Sequence, residues 1–292
     1  MIISTPRSSA SLAESDEFKT SFSQIPNLRF SQESVIVLPA SKALSVPILG
    51  PLIPDGIASG TMVLVEFDPE GQWFPLSRTI SAGALHNGWR VLYGATARPR
   101  EEAFAALERL GVDVAECERA GRLRVDDYHT ATQSLDKGDV EDQVVDDAYV
   151  RMGSPRIAAF SVSQLKSLKG QLPVLSKWSG DQSDVLALAD SLSPFLRFND
   201  EKAFLEWIET RNLPLNRKVG RVLVDGISRR IHSDFFYARL EAAFDAVVEV
   251  RVIDRGEEVK NLLRVRAVKG LPHDSRWHEI DVKPNGEANL RD

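Results

Sequence analysis

The 292-residue sequence has a single cysteine, Cys117. That excludes a disulfide framework and any zinc or iron–sulfur site built on cysteine pairs. It fits a reducing cytoplasm, the expected compartment. Cys117 sits between Glu116 and Glu118. Their charges raise a thiol's pKa, so no nucleophile is expected there. No apolar run approaches the roughly 18 residues of a transmembrane helix, and no membrane partner is expected. Residues Met1–Gln24 are rich in serine and mixed charge and lack the apolar core of a signal peptide. There are only five histidines: His86, His129, His232, His273 and His278. None are spaced i, i+4 as a helical zinc site requires. His273 and His278 flank Asp274, but surface histidines are the commoner case, and no metal is expected. A Gly-x-Ser-x-Gly hydrolase elbow is also missing. Most telling is lysine, which is absent from the whole stretch between Lys42 and Lys137.

What remains is ordinary for a globular protein. Hydrophobic residues make up 43% and charged residues 27% of the chain, enough for a sizeable core. The net charge of −6 argues against a general nucleic-acid-coating role. Residues 1–28 read as a flexible tail, and 29–292 as a single domain. From Val35 on, apolar runs alternate with amphipathic segments, the mark of an α/β domain with a mostly parallel sheet. Met62–Val65 is a strand. A polar break follows, and a helix starts near Pro75 with Leu76, Ile80 and Ala84 on one face. Arg90–Tyr93 and Leu123–Val125 are strands around a helix over Arg100–Leu110 that Gly111 closes. Residues 130–150 read as a loop or exposed helix. Asp184–Ala189 is apolar on both faces, which places it inside a covered sheet. Asn199 or Asp200 caps a helix through Thr210, in which Phe204, Trp207 and Ile208 form the buried stripe. Phe195, Phe198, Phe204 and Trp207 are core rather than a base-stacking platform. Val219–Val224 is a further strand, and Ser233-Asp234 caps the next helix, with Phe236, Leu240 and Phe244 inward. Three short alternating strands close the chain near Val247–Val252, Leu262–Val268 and Trp277–Val282, with a hairpin turn at Pro284-Asn285-Gly286. They read as an antiparallel edge.

A strand, loop and helix near the start of such a domain is the setting of a phosphate-binding loop, G-x-x-x-x-G-K-S/T. Its glycines let backbone N–H groups reach the phosphates, its lysine neutralises them, and its hydroxyl holds Mg²⁺. Here the segment reads Phe67-Asp68-Pro69-Glu70-Gly71-Gln72-Trp73-Phe74. In that register the two glycines become Phe67 and Gln72, the lysine becomes Trp73 and the hydroxyl becomes Phe74. Asp68 and Glu70 add negative charge where phosphates would sit. One such charge about 4 Å from a phosphate costs roughly 4 kcal/mol at an effective dielectric near 20. Pro69 removes a backbone donor.

The order of the remaining landmarks resembles the RecA/KaiC-like branch of the P-loop ATPases, from about Leu49 to Leu290. The lead-in is Leu49-Gly50-Pro51-Leu52-Ile53-Pro54-Asp55-Gly56-Ile57-Ala58-Ser59-Gly60-Thr61. Gly88-Trp89-Arg90-Val91-Leu92-Tyr93 is similar to the family's "G-x-x-V-L-Y" strand, and Leu110-Gly111-Val112-Asp113 to its helix end. Gly121-Arg122-Leu123-Arg124-Val125-Asp126 resembles "G-x-L-x-V-x-D", and Asp190-Ser191-Leu192-Ser193 the "D-S-L-S" that ends the Walker B strand. Leu263–Gly270 and His278–Gly286 resemble its last two strands.

The resemblance implies a three-layer α/β/α RecA-like domain with antiparallel C-terminal strands. It also implies ATP and Mg²⁺ as the ligands of an intact site, with Asp190 and Ser191 near the metal and Arg266 and Lys269 at a subunit interface. The departures point the other way. Walker A is lost. The acidic residues expected after the "V-L-Y" strand are replaced by Ala95-Thr96-Ala97-Arg98-Pro99, with Glu101 and Glu102 only later. The arginine expected after Lys269 is absent. Asp190 then has a second reading, as a local strand-end cap. The expected function is a degenerate KaiC-like regulatory or scaffolding subunit without catalytic residues or cofactor, partnered by itself or by an active paralogue. Two alternatives stand beside it. One is an ATP-binding protein using Arg78 or Arg98 in place of the lysine. The other is a DNA-associated recombinase paralogue, to which Arg229 and Arg230 could contribute and which the acidic charge disfavours.

Overall fold

The computed structural model of the protein describes residues 43–45, 48–130, 182–197, 199–254, 256 and 258–291. The expected tail over 1–28 and its boundary, Phe198, and the segment 130–150 beyond Thr130 lie outside the described residues.

Strand β1 (Ala43–Leu44) pairs with β2 (Ile57–Ala58) in a short antiparallel ribbon. The main sheet begins with β3 (Met62–Phe67), followed by helix α1 (Trp73–His86) and β4 (Arg90–Ala95). Next come α2 (Arg100–Arg109), α3 (Val114–Arg119), β5 (Leu123–Asp127) and β6 (Val185–Ala189). Helices α4 (Glu201–Trp207) and α5 (Leu213–Val219) lead to β7 (Val222–Ser228) and α6 (Asp234–Ala243). The chain closes with β8 (Ala246–Asp254), β9 (Val259–Val268), β10 (His278–Val282) and β11 (Ala288–Arg291).

Among the described residues nine strands form one sheet in the order β11-β10-β9-β8-β3-β7-β6-β4-β5. The six from β8 to β5 run parallel, and the remaining pairs are antiparallel. The period-two alternation of β3 explains the layers. Val63, Val65 and Phe67 enter a front core with Leu76, Ile80 and Ala84 of α1. Met62 and Leu64 enter a back core with Phe204, Ile208, Phe236 and Leu240. Helices thus cover both faces, and β3, β7 and β6 are buried in the middle.

Several boundaries differ from the sequence expectation. β3 extends two residues past Val65, because both neighbours pair through its end: Phe67 faces Ser228 of β7 and Val250 of β8. The first helix begins at Trp73, with Pro75 inside its first turn. The helix expected to stop at Thr210 continues instead. A π-helical stretch, Ile208–Asn212, joins α4 to α5, and Gly220 ends α5 at φ 80°. Pro214 falls in the first turn of α5, where a missing N–H costs little. β7 therefore starts at Val222 rather than Val219. The closing strands number four, not three. The first, β8, is parallel to β3, so the antiparallel part begins with β9. The hairpin at Pro284-Asn285-Gly286 stands, with Gly286 at φ 88°. Asp200 and Ser233 cap their helices by accepting the N–H groups of Ala203 and Phe236.

Candidate functional site

In open α/β sheets ligands bind beyond the carboxyl ends of the strands. Here that end holds the β3–α1 connection, the ends of β6 and β4, and Gly226 of β7. The connection is shorter than the eight residues Phe67–Phe74 suggest. Phe67 is the last residue of β3, while Trp73 and Phe74 are the first of α1, which leaves Asp68–Gln72 as the loop. The loop is tied to β8. Asp68 N–H donates to the Val250 carbonyl at 3.0 Å, and its carboxylate accepts from Val252 N–H at 3.0 Å. Gly71 N–H turns back to the Asp68 carbonyl at 2.8 Å. A Cβ on Gly71 would stand 3.0 Å from that same carbonyl oxygen and 3.5 Å from Val250.

Trp73, in the register position of the lysine, is fully buried. Its ring lies against Phe67, centroids 6.0 Å apart, and Phe67 meets Phe74 edge-on at 5.9 Å. Its Nε1–H donates to the Asp190 carbonyl at 2.7 Å. The space for the indole exists because β7 carries glycine here: a Cβ on Gly226 would fall 2.3 Å from Trp73 Nε1. Trp73 and Gly226 thus form a matched pair from opposite ends of the domain.

The Asp190 side chain is engaged locally. Its Oδ1 accepts from the N–H groups of Thr96 and Ala97 at 2.9 and 3.0 Å. Thr96 Oγ1 lies against both this carboxylate and the Ser191 carbonyl, and accepts Ser191 N–H at 3.0 Å. Ser191 Oγ accepts from Ser193 N–H at 3.2 Å. Burial raises the Asp190 pKa, and the bonds from Thr96 and Ala97 oppose that rise.

The other expected residues disperse. Arg78 Nη2 lies 3.7 Å from Glu102, beside the buried Tyr93 hydroxyl. Arg98 also pairs with Glu102, at 3.1 Å, and stacks its guanidinium 4.7 Å over Phe74. Glu101 and Glu102 are exposed in the first turn of α2. Arg266 pairs with Glu241 of α6 and Glu249 of β8, and Lys269 donates to the Ala242 carbonyl at 2.9 Å. Arg229 is not a free cation. It folds back on Glu66 and Asp68 at 3.6 and 3.5 Å.

These residues do not fit a polyphosphate with Mg²⁺. The lysine position holds a neutral indole, the loop lacks a second glycine, and Asp68 is an acceptor already facing the protein. Among the described residues no group of three metal-ligating side chains converges, and no helix is long and apolar enough to cross a membrane.

Two buried acids escaped the sequence reading. Asp225 of β7 sits on the back face with Oδ2 unpartnered, at a cavity of about 190 Å³ whose rim includes Trp207. Burial pushes its pKa up to about 7, against a bond from Ala189 N–H. Glu66 of β3 is likewise buried. Desolvation, a hydrogen bond with Glu241 and repulsion from the same group raise it to about 7, against Arg266 and Arg229. The available signal was the continuation of two apolar strands through an acidic residue.

No family model and no curated protein matches the sequence. Among solved structures, the chain is similar to a KaiC-like protein from the hyperthermophilic archaeon Pyrococcus horikoshii OT3. The identity is 14%, the match covers 86% of this chain and 99% of that one, and the TM-score is 0.60. At that identity the likeness speaks to architecture. With the sheet order and the β3–α1 connection described above, it identifies this chain as a RecA/KaiC-like fold.

Proposed function

We propose that this protein keeps the ATPase fold without ATP hydrolysis and acts as a regulatory or scaffolding subunit. Its partner is a second copy of itself or an active RecA/KaiC-like paralogue. The observation that carries this reading is Trp73, which occupies the lysine position and is sealed between Phe67, Gly226 and the Asp190 carbonyl. Three further features support it. Asp190 spends its carboxylate on Thr96 and Ala97, no acid stands free after β4, and Arg78 and Arg98 are held by Glu102. A fold emptied of its chemistry retains its surfaces, and function then lies in what those surfaces bind.

The test is phosphate release from ATP by the purified chain, with light scattering of the chain alone and mixed with an active paralogue. The reading expects no release and an assembly larger than one chain in at least one mixture. Hydrolysis that disappears in Asp190→Ala, or a protein that stays monomeric in every mixture, overturns it.

A further inference from the structure

The back face carries a second site, independent of the reading above. Glu66 and Glu249 are register partners on β3 and β8, so two carboxylates stand side by side on one face. Like charges placed so are unfavourable unless something else compensates. Glu249 is compensated. Arg264 Nε donates to one oxygen at 2.6 Å and Arg251 Nη2 to the other at 2.9 Å. Glu66 is not: it is 3% exposed, its Oε1 has no hydrogen-bond partner, and its nearest cation, Arg229, stays at 3.6 Å.

Helix α6 arches over this pair and encloses a cavity of about 330 Å³. Four arginines line it, Arg229, Arg230, Arg251 and Arg266, and four acids, Glu66, Asp234, Glu241 and Glu249. The lining is therefore balanced in charge. Two of its side-chain atoms are buried and unpartnered: one acceptor, Glu66 Oε1, and one donor, Arg251 Nε. At the mouth stands exposed Arg230, for which the structure shows no ion pair. It has φ 65°, the one non-glycine residue at positive φ among the described residues. A bulky residue held there stores strain, and such strain gathers at binding sites.

An unpaired buried donor and an unpaired buried acceptor each carry a desolvation cost, which a ligand of opposite polarity at each end removes. A polyanion would satisfy the arginines but meet Glu66, Glu241 and Glu249. A simple cation would meet four guanidinium groups. We infer that this cavity binds a small amino-acid-like zwitterion, its ammonium on Glu66 and its carboxylate on Arg251 and Arg230. The planar guanidinium suits the carboxylate, and the volume admits a compact molecule rather than a peptide.

The experiment is calorimetric titration of the full chain with glycine, γ-aminobutyrate, L-lysine and L-glutamate, with acetate and methylamine as single-charge controls. At least one amino acid should bind with a Kd of about 1 mM or tighter. The near-isosteric Glu66→Gln and Arg251→Gln should each weaken it about tenfold or more, while acetate and methylamine fail to saturate. Arg230→Ala alters an exposed side chain, so it folds even where a buried variant does not, and it should weaken binding in the same direction. The inference is overturned if no amino acid binds up to about 10 mM, if acetate alone binds as well, or if affinity survives these substitutions unchanged. Because the readout involves neither ATP nor a protein partner, its failure leaves the proposed function standing, and the reverse holds too.

Discussion

Replacing Trp73 tests whether the indole is a structural plug. The side chain is fully buried, and an indole hides on the order of 200 Å² of surface. At about 25 cal/mol per Å² that is about 5 kcal/mol of transfer free energy. The hydrogen bond to the Asp190 carbonyl adds about 1 kcal/mol. Partial collapse around the site returns some of this, so Trp73→Ala should cost about 5 kcal/mol. Trp73→Phe keeps most of the contact with Phe67 but loses the donor, and should cost about 2 kcal/mol. A total stability of about 5–15 kcal/mol is typical, so the alanine variant approaches the limit of folding. The assay is urea unfolding followed by far-ultraviolet circular dichroism, which does not depend on tryptophan emission. Trp73→Lys should also lose about 4 kcal/mol or more, because a buried ammonium there has only a carbonyl to meet. It should gain no protection from Mg·ATP. A Trp73→Ala variant within about 1 kcal/mol of the parent would refute the plug, since an open phosphate site would tolerate the loss.

Two further outcomes follow from the buried acids. Asp190→Ala leaves three donors facing nothing and should cost about 3 kcal/mol, whereas Asp190→Asn keeps an acceptor oxygen and should cost about 1 kcal/mol or less. Equal losses in urea unfolding would speak against the local capping role. Asp225 has its folded pKa raised to about 7, so the native state holds its proton more tightly than the unfolded chain does. Its favourable contribution is complete below the unfolded pKa near 3.8 and is lost as pH rises through 7. Relative to Asp225→Asn, the parent should therefore lose about 3 kcal/mol between about pH 5 and about pH 8.5, a difference read from paired urea titrations. Parallel pH profiles for the two proteins would contradict it.

Much of this was written into local pattern. The stripe Leu76, Ile80 and Ala84, the caps Asp200 and Ser233, and the doubly apolar Val185–Ala189 each follow from a few neighbouring residues. The loss of the Walker lysine was legible too, since it needs only a register. What fills the gap was not. The room for Trp73 depends on Gly226, which lies 153 positions further along the chain and touches it only after β3 and β7 pair. The same holds for Glu66 and Glu249, whose juxtaposition is a product of strand register. Pro214 misled in the other direction. It resembles a helix stop, but after the π-helical stretch it falls in a first turn that asks nothing of its missing donor.

The central claim is that this ATPase fold has no working nucleotide site, and calorimetric titration of the purified full-length chain with ATP and Mg²⁺ tests it most directly. The account predicts no saturable heat up to about 5 mM nucleotide, with or without the metal. Magnesium-dependent binding with a Kd of about 10 µM or below would contradict it. Phosphates would then have to sit where Trp73, Asp68 and Glu70 now stand.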